Sequence, residues 1–149
     1  MYTLPLKKYK SLQLEADIEL DIITIHAQIP PHFMAWCLDD TFSSIFVRQP
    51  ELFSVSLPKD TESNHVEYYW NDVELSGQMW LIENKGDKGF LYAPKPRPDF
   101  WILMKNMEER VELENWIKKI QSISTVQTAY IFPKSKHGKL FWLKALSHL

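Results

Sequence analysis

Apolar residues fall along this chain in two periods, and each period predicts a different kind of element. Residues 20–27 (LDIITIHA) are rich in isoleucine and predict a strand. Pro30-Pro31 breaks it and opens a helix over Pro31–Phe42, because proline is favoured in a first helical turn. On that helix Phe33, Trp36 and Cys37 form one apolar group, and Met34, Leu38 and Phe42 another. His32, Ala35 and Asp39 share the remaining face, so the helix is expected to be buried on most sides. Short alternating segments follow at 53–57, 66–70, 79–83 and 89–93. The stretches PKDTESN, NDVELSG and NKGD between them read as turns, which predicts antiparallel strands joined by hairpins. Val66, Tyr68, Trp70 and then Trp80, Ile82 alternate as if one face were buried and one wet.

The run 99–105 (DFWILMK) is the strongest strand signal in the chain. Asn106 is placed to cap a following helix, with Glu109 three residues on as in a capping box. Leu113, Trp116, Ile117 and Ile120 recur at i, i+3, i+4, i+7, a stripe that should face a sheet. Early Glu108, Glu109 and Glu112 and late Lys118 and Lys119 match the helix dipole. Residues 126–132 return as a strand, and if the two strands share a sheet the crossover should be right-handed. Pro133 ends that strand and KSKHGK is polar. LFWLKALSHL then repeats Leu140, Leu143 and Leu146 at helix-like spacing, which predicts a short helix docking on the core rather than an apolar tail awaiting a partner. No repeat, low-complexity segment or linker divides the chain. A single α+β domain over 1–149 is expected, a mostly antiparallel sheet with two main helices packed against it, residues 1–10 and 134–149 being flexible or appended.

Prolines at 94, 96 and 98 alternate with Lys95 and Arg97 before the strongest strand. In an extended chain they delete N–H donors from one edge only, and they put Lys95 and Arg97 on the face opposite the prolines. That predicts an edge segment protected against pairing, or a stiff cationic lip offered to a partner. It does not have the PxxP spacing of proline-rich ligands.

Composition changes this picture little. At 149 residues, with 45% apolar and 24% charged, the chain buries roughly 68–70% of its unfolded surface and needs no metal or disulfide to fold. Six Trp, six Tyr and eight Phe are plentiful, while four glycines are too few for a phosphate-cradling loop. A single Cys37, no apolar stretch after the basic N-terminal residues, and no run near the roughly 20 residues of a membrane span place the protein in the cytoplasm. Charge is uneven. After Glu114 there is no acid, and Lys118, Lys119, Lys134, Lys136, Lys139 and Lys144 give +6 against −8 in the rest of a chain whose net charge is −2. Such asymmetry hints at a polyanion or acidic partner, or else a basic helix end and a solvated tail.

No catalytic or cofactor constellation is legible. His32 and Asp39 share a helix face but lie about 10.5 Å apart along its axis, too far to share a zinc ion, and no HExxH or cysteine pair occurs. Cys37 lies mid-helix beside Trp36 and Leu38, as a small buried hydrophobe would. Asp39 and Asp40 point about 100° apart and make no dyad, reading instead as a solvated shoulder or as partners of Lys and Arg. No GxSxG elbow marks a hydrolase. Tyr130, Phe132 and Trp142 interleave with Lys134, Lys136, His137 and Lys139, a pattern suited to phosphates and stacked bases. The negative net charge and the alternation of Tyr130 and Phe132 along a strand favour the core for those two rings.

Several stretches together resemble the uncharacterised bacterial IPExxxVDY family of small single-domain proteins. They are MAWCLDDTF, LIENKGDKGFLYAP, PDFWILM, IQSISTVQTAYIF and PKSKHGKLF, spread over about residues 20–142. Ala93-Pro94-Lys95 stands where Ile-Pro-Glu is expected and Pro98-Asp99-Phe100 where Val-Asp-Tyr is expected, with a spacer one residue short. Pro94 and Asp99 survive, and Lys95 replaces the acid. The resemblance supplies a class and no mechanism.

The function expected is a non-enzymatic binding or adaptor domain with a protein partner. Its candidate contact residues are Lys95, Arg97, Lys134, Lys136, His137, Lys139 and Trp142, with no catalytic, cofactor or metal site. The alternatives are an RNA-associated protein using the basic C-terminal face, and a small enzyme with a site assembled across the fold.

Overall fold

The computed structural model describes residues 19–74, 76–108 and 111–149. Residues 1–10, expected to be flexible, and Glu109 of the expected capping box lie outside them. In chain order the elements are β1 (Asp21–His26), α1 (Pro31–Phe42), β2 (Val47–Arg48), β3 (Phe53–Leu57), β4 (Thr61–His65), β5 (Glu67–Asp72), β6 (Gly77–Glu83), β7 (Phe100–Lys105), α2 (Leu113–Gln121) and β8 (Thr128–Ile131). Short 3-10 turns lie at Pro58–Asp60, Lys134–Lys139 and Phe141–Ala145. A six-stranded sheet runs β2-β5-β6-β7-β1-β8 with every neighbouring pair antiparallel, and β3 pairs with β4 apart from it. The molecule is thus a single α+β domain with a mostly antiparallel sheet and two main helices. Strands β7 and β8 both run antiparallel to the intervening β1, so they are parallel to each other and joined through α2.

The run 100–105 reads as continuously apolar because both faces of the sheet are covered. Phe100, Ile102 and Met104 enter one core with Ile23, Ile25, Met79 and Leu81, beneath Met34 and Leu38 of α1 and Trp116 and Ile120 of α2. Trp101 and Leu103 enter the other with Ile22, Trp80 and Ile82, beneath Phe53 and Val55 of β3 and Leu140, Trp142 and Leu146 of the C-terminal turns. The expected wet face of β6 is therefore absent, since Met79, Trp80, Leu81 and Ile82 are all buried. The two helices meet through Phe42 and Trp116, whose rings stack with centroids 3.8 Å apart.

Helix α1 has the expected bounds, with Pro30 at its N-cap and Ser43 in the left-handed region donating its N–H to Asp39 C=O. Its apolar grouping differs: Cys37 is buried, whereas Trp36 is 60% exposed with its ring stacked on Phe33. Helix α2 starts later than expected. Asn106 is no cap, having a φ of 57°, and Met107 and Val111 are buried ahead of the helix. The stretch read as the turn PKDTESN contains all of strand β4 but His65, and the strand pairs residue for residue with β3. Residues 89–93 form no strand, only a bridge between Lys85 and Phe90. The C-terminal segment docks as expected, but as 3-10 turns: leucines spaced by three suit a 3.0-residue turn better than an α-helix.

Candidate functional site

One side chain positions the loop between β6 and β7. Asn84 follows β6 directly and is 0% exposed. Its amide Nδ2 donates to the carbonyls of Tyr92 (2.9 Å) and Pro98 (2.8 Å). Its Oδ1 accepts from Tyr92 N–H (3.1 Å) and Trp101 Nε1–H (2.9 Å). Its own N–H donates to Asp99 C=O (2.9 Å) and its C=O accepts from Leu91 N–H (3.0 Å). Every hydrogen-bonding position of the residue is used, and residues 91–99 are tied back at both ends.

This corrects the edge expected of the three prolines. Residues 93–99 pair with no strand, and β7, which they enter, lies between β6 and β1. The missing N–H groups still have a use, because an irregular segment with prolines at 94, 96 and 98 has fewer donors to satisfy. Pro98 is buried with its C=O on Asn84, whereas Pro94 and Pro96 are exposed, the latter after a cis peptide bond.

The tied loop walls a groove of about 350 Å³. Pro94, Lys95 and Pro96 of the loop line it, with Thr24 and His26 of β1, Tyr130 and Ile131 of β8, and Pro133 and Lys136 beyond β8. Tyr92, Trp101 and Phe132 also line it, and Phe132 meets Trp101 edge-on with ring centroids 5.3 Å apart. Tyr130 is 54% exposed and meets His26 edge-on at 5.9 Å, so its expected place in the core is corrected. Phe132 is buried as expected. Both rings point to one face of β8, but Tyr130 sits at the sheet margin, where no cover reaches it.

The seven candidate contact residues separate. Lys95 and Lys136, distant in sequence, come together on the groove. Arg97 turns to Phe90, its guanidinium carbon 4.3 Å from the ring centre. Lys134 pairs with Asp21 at 3.7 Å. His137 stacks on Phe132 with centroids 5.9 Å apart and donates Nε2–H to Phe132 C=O, while burial lowers its pKa. Lys139 is exposed but does not line the groove. Trp142 is 1% exposed and packed against Trp101 and Phe53, so the ring expected at the contact surface lies in the core. Apolar rings near lysines mark core and surface alike in sequence, and only the fold separates them.

Two further polar groups are buried. Glu67 is 3% exposed beside a second cavity of about 380 Å³. Its Oε1 accepts from Ser147 Oγ–H at 2.8 Å, and burial raises its pKa. Its Oε2 has neither partner nor exposure. His65 is 1% exposed, donates Nδ1–H to Glu83 C=O (3.0 Å), and leaves Nε2 without a partner against Gly86. Asp39, read as a solvated shoulder, instead accepts from Ser44 Oγ–H (2.7 Å) and Phe46 N–H (3.1 Å) and closes the turn after α1. Among the described residues no group of three or more His, Cys, Asp or Glu side chains is placed to hold a metal ion. None of the described helices is long and apolar enough to cross a membrane.

Compared with protein-family models, with curated proteins and with solved structures, the chain gave no match.

Proposed function

We propose that the protein is a non-enzymatic binding domain whose contact surface is the groove between the 91–99 loop and the β1–β8 margin. The observation that carries this is the exposed Tyr130 facing a stiff, proline-walled loop that Asn84 holds rigidly in place. An exposed aromatic ring in a preformed groove offers contact area at little entropic cost. The lysines come with it: Lys95 and Lys136 are the two of the seven candidate residues that line the groove. We place the chain with the IPExxxVDY proteins on the segments quoted above. The aspartate kept from that motif, Asp99, accepts the Ala27 N–H on Oδ2 at 2.8 Å where β1 ends, a structural role. A cytoplasmic location is proposed from the single thiol.

The test is co-purification from the native host with the tagged full chain, beside the variant Tyr130→Ala and with one arm treated with nuclease. A protein partner kept through nuclease at near-stoichiometric yield, and lost with Tyr130→Ala, is the expected outcome. A partner indifferent to Tyr130→Ala removes the groove from consideration. A partner set lost with nuclease moves the function to RNA.

A further inference from the structure

We infer that the groove takes an extended peptide of a partner protein, carrying carboxylate side chains and laid along the outer edge of β8. This rests on the groove being a binding surface, as proposed above. Two independent features point to that occupant.

The first is charge. Lys95 and Lys136 line the groove, and among the described residues no Asp or Glu does. Carboxylates on the neighbouring elements are already engaged, Asp99 with Ala27 N–H and Asp21 with Lys134. A carboxylate entering the groove therefore meets positive charge that its lining does not neutralise.

The second is the edge. Strand β8 is the last of the sheet. Phe132 N–H donates to Ile22 C=O, and Asp99 N–H donates to Ile25 C=O, both at 2.8 Å. Even-numbered residues of β1 thus face β8 and odd-numbered ones face β7. On β8 the same alternation turns the backbone of Ala129 and Ile131 away from the sheet. Gln121 Nε2–H already donates to Ala129 C=O at 3.0 Å, so this edge accepts hydrogen bonds from outside the ladder. Ile131 lies at the groove itself. An extended peptide pairs with such an edge through its main chain and sends alternate side chains to one face, where the two lysines and Tyr130 wait. A polynucleotide fits less well, because its affinity grows with the number of phosphates neutralised, and this track has two lysines with Trp142 buried away from it.

The experiment is selection of a displayed library of random short peptides on the full chain, followed by fluorescence anisotropy with the enriched sequences. Lys95→Glu and Lys136→Glu change exposed side chains, so the double variant keeps its fold. The expected result is enrichment of Asp and Glu, salt-sensitive binding, and a loss of about tenfold or more in the double variant or when the peptide acids become amides. Selected peptides that are neutral or basic, no selected peptide at all, or equal binding by the double variant overturns the inference. So does a labelled oligouridylate that binds and is lost with Tyr130→Ala. A native partner lost with Tyr130→Ala while no acidic peptide is selected overturns the acidic peptide and leaves the groove as the contact surface. A native partner indifferent to Tyr130→Ala overturns both.

Discussion

Under α1 and α2 the sheet presents Ile23, Ile25, Met79, Leu81, Ile102 and Met104, while on the opposite face it presents Ile22, Trp80, Ile82, Trp101 and Leu103. The difference follows from what covers each face. A helix satisfies its own backbone, so the sheet beneath it needs only apolar shape. The opposite face is covered largely by irregular chain, whose backbone groups must find partners elsewhere. There the sheet supplies polar handles on large side chains. Trp80 Nε1–H donates to Ser147 C=O (2.8 Å), Gln78 Nε2–H donates to His148 C=O (2.6 Å), and Asn84 with Trp101 holds the 91–99 loop. Aromatic residues with one donor suit such a face because they add buried area and a hydrogen bond together.

Asn84→Ala is the strongest way to break this contrast. It strands Trp101 Nε1–H, Tyr92 N–H and two carbonyls in a buried place, a loss of about 4 kcal/mol in folding stability. Urea denaturation reads the loss, and faster exchange of the Trp101 indole proton shows that the loop has come away. Met34→Ala is the matching test beneath α1. Its side chain is fully buried, so the truncation leaves a cavity and costs about 3 kcal/mol. Indole exchange at Trp101 and Trp80 should stay tied to global unfolding in that variant. Equal local opening in both variants would mean that the two faces are one cooperative unit with no separate anchoring.

Gly86→Ala probes the hairpin side of the aromatic face. A Cβ at Gly86 would lie 2.3 Å from Ser63 Oγ and 2.6 Å from His65 Cε1 and Nε2, and both side chains are buried and cannot swing away. The strain should cost about 2 kcal/mol, visible as a lower urea midpoint with an unchanged slope. A neutral result would show that the β3–β4 hairpin yields easily.

Legibility in the sequence follows the same division. Periodic apolar spacing located α1, β1, β3 and the core of α2, because a helix or a strand in a ladder imposes its period on the chain. It could not find β4, whose sequence TESNH is polar and whose buried members, Ser63 and His65, carry no apolar signal. It missed Asn84 for a related reason: an asparagine after a strand and before Lys-Gly-Asp reads as turn chemistry, while its partners at 92, 98 and 101 are set only by the loop's return. The groove was half visible. Lys95 and Lys136 stood out as cations, but only the placement of β1 between β7 and β8 brings them to one groove, and Tyr130 differs from Phe132 in exposure through its place on the margin.

The smallest expected effect is a pH dependence that separates the two covers of the aromatic face. Burial lowers the pKa of His65, so the folded chain keeps it neutral where the unfolded chain takes up a proton. Its contribution is whole above the unfolded value of about 6.5 and declines as pH falls from there toward the lowered folded value. His137 acts with the same sign. Glu67 and Glu83 have raised pKa values, so their contribution is present at low pH and fades as pH rises through those values, opposing the histidines wherever the windows overlap. The histidines should therefore lower the urea midpoint modestly as pH falls below about 6.5, by less than the Gly86→Ala effect. His65→Gln keeps an N–H for Glu83 C=O and has no proton to gain, so it should flatten that decline. If the decline persists in His65→Gln and vanishes in His137→Gln, the acid-sensitive contact is the C-terminal turn over Phe132 rather than the hairpin over Gly86. The wall of the groove that carries Lys136 would then be the first part of the molecule to loosen in acid.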